Sequence, residues 1–204
     1  MKTATLEALS PTTNGAEETI GYEQPYLATI TVEGVAPFLF HRWNVEAVEA
    51  KGKAAKGSKA KKTDDLESYV YRDAKGHLAI PGEYFRMALI GAAKFAQDPR
   101  SPRKSAMDLF KAGLVSLNDL CDLGTADWDY LDRRRVMVQR NGITRGRPCM
   151  AAGWRVTFAI HVLLPQYISP AMLNETIGMA GRLIGVGDFR PTYGRFQIIA
   201  FAAG

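Results

Sequence analysis

Near the C-terminus the run Gly185-Val186-Gly187-Asp188-Phe189-Arg190-Pro191-Thr192-Tyr193-Gly194-Arg195-Phe196 combines three glycines with two arginines. Glycine admits positive φ and close backbone approach, so Gly185, Gly187 and Gly194 can present amides to an oxyanion while Arg190 and Arg195 add charge. That combination suits phosphate binding. The run follows a helical pattern and precedes a strand pattern, the reverse of a dinucleotide fingerprint or a P-loop, so neither nucleotide motif is supported. A glycine-dependent connection with no ligand is the alternative reading of the loop alone. A second group lies upstream, where Arg133, Arg134, Arg135, Arg140, Arg145 and Arg147 surround Tyr130, Met137 and Asn141. On a strand pair these would make a positive ridge able to neutralise phosphates and stack on bases. The same residues also fit a solvated hairpin whose arginines pair with Asp129 and Asp132.

Residues 51–62 hold six lysines and no acid, Lys59, Lys61 and Lys62 among them, and like-charge repulsion plus glycine predict a flexible basic loop. Asp64 and Asp65 follow it directly. Delivered to RNA, they would hold Mg²⁺ or orient a 2′-hydroxyl; otherwise they balance neighbouring lysines. His41, after Phe38-Leu39-Phe40 and beside Arg42, is placed to act as a general acid or base at a phosphodiester. His77 and His161 read as strand-edge or surface residues, and three scattered histidines make no metal site. Cys121 and Cys149 form no Cys-x-x-Cys pair, so neither zinc nor a disulfide framework is indicated. No cofactor is expected, with Mg²⁺ entering only if the acidic pair is catalytic. Gly-x-Ser-x-Gly and His-Glu-x-x-His are both absent.

The elements that must position these residues follow from periodicity. Tyr26, Ala28, Ile30 and Val32 alternate with Leu27, Thr29, Thr31 and Glu33, which predicts a strand with one buried face. Ser68 to Tyr71 and His77 to Ile80 read as extended segments around a turn at 73–76. Pro81-Gly82 opens a helix over 82–96, with Phe85, Ala88, Leu89, Ala92 and Phe95 on one stripe. A short helix and a strand are expected between 105 and 123, and strands over 134–140 and 154–164. Ser169-Pro170 starts an amphipathic helix closed by Gly185, and a strand begins at Phe196. This order predicts an α+β fold, an antiparallel sheet with helices on one face.

Charge is divided unevenly. The 204-residue chain has 26 Lys plus Arg against 21 Asp plus Glu, a net +5. Residues 1–50 hold Lys2 and Arg42 against seven Glu, so the remainder carries about +10. A basic body behind an acidic entry segment points to a polyanionic partner. At 47% hydrophobic and 23% charged the chain can bury a core. Residues 1–24 are expected to be a disordered tail. With no apolar leader and no run of membrane-spanning length, a cytoplasmic location away from membranes is expected.

Two segments in this order resemble the RAMP superfamily, the RNA-binding subunits of CRISPR effector complexes. One is Val70 through Leu89, which contains Ile80-Pro81-Gly82 and the amphipathic helix; the other is the glycine loop from Gly185 to Arg195. The backbone subunits that polymerise along guide RNA are the most similar. The resemblance implies an RRM/ferredoxin-like domain over 25–204, with a flexible basic insertion around 44–67 lying over RNA. In some members an aspartate of that insertion cuts target RNA. The implied partners are single-stranded RNA, guide RNA included, copies of the chain itself and other effector subunits. Arg86, in the first turn of its helix, would add charge to an amide-rich helix start and bind phosphate, or else be a surface arginine. The expectation is a subunit that binds RNA phosphates with little sequence preference, along the ridge, the lysine loop, Arg42, Arg86 and the glycine loop. Two alternatives are a metal-dependent endoribonuclease acting from 44–67 and a protein-binding mimic of such a subunit.

Overall fold

The computed structural model describes residues 24–53, 65–138 and 141–204. Four strands form the central antiparallel sheet: β1 (Tyr26–Gly34), β5 (Leu114–Ser116), β9 (Arg155–Val162) and β10 (Phe196–Ala203), in the order β10-β1-β9-β5. Both β1 and β5 run antiparallel to β9, so they are parallel to each other, and helix α2 (Gly82–Ala92) lies between them in sequence. By the same logic β9 and β10 are parallel, with α4 (Pro170–Met179) between them. Two split βαβ units interleaved in this way define a ferredoxin-like α+β fold. The fold class expected from periodicity is therefore present, and it accommodates two excursions: residues 35–81 before α2, and 117–154 between β5 and β9.

Alternation explains the core. Ala28, Ile30 and Val32 of β1 and Val156, Phe158, Ile160 and Val162 of β9 are buried on the helix-covered face. Phe85 of α2 stacks on Phe158 with ring centroids 4.3 Å apart and meets Phe196 of β10 edge-on at 5.8 Å. Full burial of one such side chain stabilises the fold by about 1.5–3 kcal/mol. At the end of β1, Gly34 is required by Trp154: a Cβ there would lie 2.0 Å from the indole nitrogen, which donates to the Ala36 carbonyl at 2.9 Å. Ser169 caps α4, its Oγ accepting from the Met172 amide at 3.2 Å, with Pro170 in the first turn.

The excursions build two smaller sheets. In one, β2 (Phe38–Leu39) pairs with β8 (Asn141–Met150), which pairs with β7 (Tyr130–Val138) in a long ribbon. In the other, β4 (Leu78–Pro81) sits between β3 (Tyr71–Arg72) and β6 (Leu120–Asp122). Helix α3 (Met107–Gly113) precedes β5. The lysine-rich stretch departs from expectation at its start, because α1 (Val45–Lys53) carries the helix into its first lysines. Asn44 Oδ1 accepts from the Ala47 amide at 3.1 Å, and Glu49 pairs with Lys53 one turn on at 4.0 Å, so local capping outweighs charge repulsion there. The predicted helix over 82–96 ends earlier, its last turn being the 3₁₀ segment Ala93–Phe95. No helix among the described residues is long and apolar enough to cross a membrane.

Candidate nucleic-acid interface

The glycine loop is built from the inside. A π-helical turn, Ala180–Ile184, follows α4, and Gly185, Gly187 and Gly194 take φ of 71°, 81° and 69°. A Cβ on Gly194 would fall 1.7 Å from the Val186 carbonyl oxygen, and one on Gly187 would fall 2.6 Å from the Phe38 ring. These glycines let the loop close on itself and on β2. The amides of Gly185, Val186, Asp188 and Gly194 donate to Ala180, Gly194, Leu39 and Pro37 carbonyls at 2.8–3.2 Å. Of the glycine amides expected from the sequence to hold phosphates, those of Gly185 and Gly194 are thus engaged inside the chain.

The arginine ridge divides by strand alternation. Arg134 lies opposite Arg145 and Asp132 opposite Arg147, which puts these four on one face of the β7–β8 ribbon. Arg133 and Arg135 belong to the other face and are exposed. The first face meets the glycine loop. Arg134 holds Asp132 in a fork, Nε to Oδ1 at 2.6 Å and Nη2 to Oδ2 at 2.5 Å, and donates to the Tyr193 hydroxyl. Its guanidinium also lies 4.6 Å from the Tyr193 ring centroid and 4.8 Å from that of Phe189. The hydrogen bonds from Arg134 hold the Asp132 carboxyl below its usual range. The Arg–Asp pairing that was the alternative for the ridge is therefore what Arg134 does.

Arg147 is 5% exposed, with its guanidinium 4.8 Å from the Phe189 centroid and Nε 2.6 Å from Asp188 Oδ2. The same oxygen lies 3.6 Å from Nδ1 of His41. Burial lowers the imidazole's affinity for a proton, Asp188 opposes this, and Arg147 and Arg145 reinforce it. Arg145 thus lies within electrostatic reach of His41. Where β2 ends, Arg42 lies over the Tyr71 ring at 5.4 Å, and Trp43 is 72% exposed. The Tyr71 and Tyr84 hydroxyls are 3.4 Å apart, and burial and Tyr71 together raise the Tyr84 phenol above its ordinary value, with the nearby Arg190 acting against the shift. Arg190 is exposed beside a cleft of about 460 Å³ lined by Leu183, Ile184, Gly187, Asp188, Phe189 and Pro191. The structure therefore joins residues from four distant stretches: His41 and Arg42; Tyr71 and Tyr84; Arg145 and Arg147; Asp188 and Arg190. Cations and aromatic faces in one place can neutralise phosphates and stack bases.

Other sequence-predicted residues stand elsewhere. Arg86 donates to the Leu114 carbonyl at 2.7 Å, the Lys111 carbonyl at 2.9 Å and Glu83 at 2.7 Å, tying α2 to the α3–β5 junction. Arg195 is exposed where β10 begins, and its carbonyl accepts from Val35 and Ala36. Asp65 opens the 3₁₀ turn Glu67–Tyr69, Oδ1 accepting from the Glu67 amide at 3.2 Å. Lys59, Lys61, Lys62, Asp64 and Arg140 lie outside the described residues. Among the described residues, a carboxylate–imidazole cluster of Asp73, His77 and Asp122 lies on the β3–β4 turn and β6. Its oxygens already accept from the amides of Lys75, His77 and Gly124, the work of a turn. Sequence reasoning missed Asp188, Tyr71, Tyr84, Trp43 and the burial of Arg147. Only Arg147 left a trace, a charged residue heading the apolar run Pro148-Cys149-Met150.

No family model and no curated protein matches this sequence. Among solved structures, the chain resembles one in a cryo-EM structure of the type III-B Cmr-beta complex bound to cognate target RNA. The TM-score is 0.50 at 9% identity, covering 88% of this chain and 61% of that one. It also matches a chain of the Csm3-Csm4 subcomplex of a type III-A CRISPR-Cas interference complex, with TM-score 0.35, 11% identity and coverage of 88% and 77%. The chain spans about three fifths of the length of the Cmr-beta chain it matches. The likeness is one of fold: the chain shares its ferredoxin-like arrangement, the one the resemblance implied, with that Cmr-beta chain.

Proposed function

We propose that the protein binds single-stranded RNA through its sugar-phosphate backbone, as a repeating subunit of a CRISPR-type ribonucleoprotein that holds guide RNA and contacts other effector subunits. The observation that carries this reading is the convergence of Arg42, Arg145 and Arg190 with the rings of Tyr71 and Tyr84, beside the exposed Trp43 that follows Arg42 in the chain. These cations come from the segment after β2, from β8 and from the glycine loop, far apart in sequence. Guanidinium groups read phosphates without regard to base identity, and aromatic faces stack on any base, so sequence preference is weak. The fold neighbour's complex with target RNA is in keeping with this use of the fold.

A fluorescence titration against labelled single-stranded RNA at several salt concentrations tests it. Replacing Arg42, Arg145 and Arg190 together by Ala lowers affinity at least about tenfold and flattens the log–log salt dependence by about 2, near 0.7 for each phosphate no longer neutralised. Arg155→Ala, at a residue paired with Glu33 on the open face of the sheet, leaves both unchanged. An unaltered salt dependence in the triple variant would remove the proposed interface.

A further inference from the structure

We propose that Asp188 is a stand-in for a polynucleotide phosphate: its carboxylate occupies the anion subsite of Arg147 in the free protein, and a backbone phosphate displaces it on binding. This rests on the RNA-binding reading and adds a subsite to it, together with the way that subsite opens.

Arg147 is the one buried cation among the described residues. A guanidinium carries five N–H donors in a fixed fork, and its burial is ordinarily matched by acceptors. Here Nε and Nη1 are enclosed and make no hydrogen bond, and Asp188 Oδ2 is enclosed and accepts none. The 2.6 Å approach of Oδ2 to Nε brings opposite charges together off the N–H direction. Oδ1 accepts from the Phe189 amide at 3.0 Å and takes no hydrogen bond from Nε or Nη1. The carboxylate therefore meets the charge of Arg147 but leaves its geometry unused. Two non-bridging oxygens of a phosphate match a guanidinium fork in both respects.

The surroundings favour an incoming anion. Arg134 and Arg145 share the ribbon face with Arg147, and His41 Nδ1 lies 3.6 Å from the same Asp188 oxygen. The neighbouring carboxylate, Asp132, is already held by Arg134. Asp188 also belongs to the wall of the open cleft, which gives a phosphate a route to it. The next residue, Phe189, has φ of 54°, a conformation that costs a non-glycine residue free energy, so the loop holds Asp188 in place under strain. Withdrawal of the Asp188 carboxylate frees the fork.

The test compares wild type, Asp188→Asn, Arg147→Gln and the double variant by fluorescence anisotropy with a labelled oligouridylate across a salt series, each melted by circular dichroism. Removing the competing charge makes Asp188→Asn bind about threefold tighter or better, with a salt slope steeper by about 0.7, one further phosphate. Arg147→Gln binds more weakly than wild type, and in the double variant the gain from Asp188→Asn disappears. Asp188→Asn that melts cooperatively yet binds no tighter overturns the proposal. Loss of a cooperative melt in that variant also overturns it, since the carboxylate would then be a structural tie. If wild type binds RNA and the Asp188→Asn isotherm superimposes on it, the subsite alone falls; if wild type binds no RNA, the reading beneath it falls.

Discussion

The central sheet and the contact between the β7–β8 ribbon and the glycine loop are both tightly packed, but by opposite means. On the helix-covered face of the sheet every inward position of β1 and β9 is apolar, and stability scales with the area removed from water. Where ribbon and loop meet, Arg134 and Arg147 lie against Phe189, and each is matched by one aspartate. A cation over an aromatic ring contributes about 0.5–2 kcal/mol, and a buried ion pair loses much of its attraction to desolvation. The first region is indifferent to charge. The second can be rearranged by anything that changes charge, including pH, salt or a polyanion, which is the property an RNA-binding rim requires.

Mutations should separate the two. The largest effect belongs to the sheet: Phe158→Ala removes the ring stacked on Phe85 and leaves a cavity, costing about 3–5 kcal/mol in urea unfolding. Its salt dependence should match that of wild type. A smaller loss comes from Gly194→Ala, which meets the Val186 carbonyl at a positive φ and should cost about 3 kcal/mol. Gly76→Ala shares the sign of φ, 83°, but has open space around it, so it reports the conformational cost alone, about 1–2 kcal/mol. Equal losses at the two glycines would mean that the loop yields freely, and the contrast between rigid packing and a poised charged contact would have to be redrawn.

Local patterns carried the sheet and left the rim largely hidden. The alternation from Trp154 to Val162 and the Ser169-Pro170 cap are properties of neighbouring residues, and both are legible in the chain as written. The acids Asp129 and Asp132 lie beside the arginines in the chain, which is why their pairing stood among the alternatives. Periodicity could not tell that Arg147 faces Asp188, a partner 41 residues on, or that Tyr71 reaches Tyr84 across a turn and a strand. Those meetings depend on how two excursions fold back over the same edge. Composition misled at Lys51 and Lys53, which the basic run suggested as loop although a capped start and a Glu–Lys pair hold them in α1. The glycines do mark a demand for close approach, but the object approached is β2 and the loop itself.

The smallest expected effect gives the sharpest distinction. Asp132 has its carboxyl held below the usual value by Arg134, and the pair is partly enclosed. A carboxyl depressed in the folded state stabilises the protein fully above its unfolded value, near 3.9, and that contribution is lost as pH falls through the lower folded value. Asp132→Asn should therefore cost about 1–2 kcal/mol at neutral pH, where a charged hydrogen bond is removed. The gap between variant and wild type in urea midpoint should narrow as pH is lowered from about 5 toward 2, because wild type loses the same pairing by protonation. Phe158→Ala should show no such narrowing. If the two variants track each other across that range, the ribbon–loop junction draws nothing from its charges, and a phosphate would have no purchase on it.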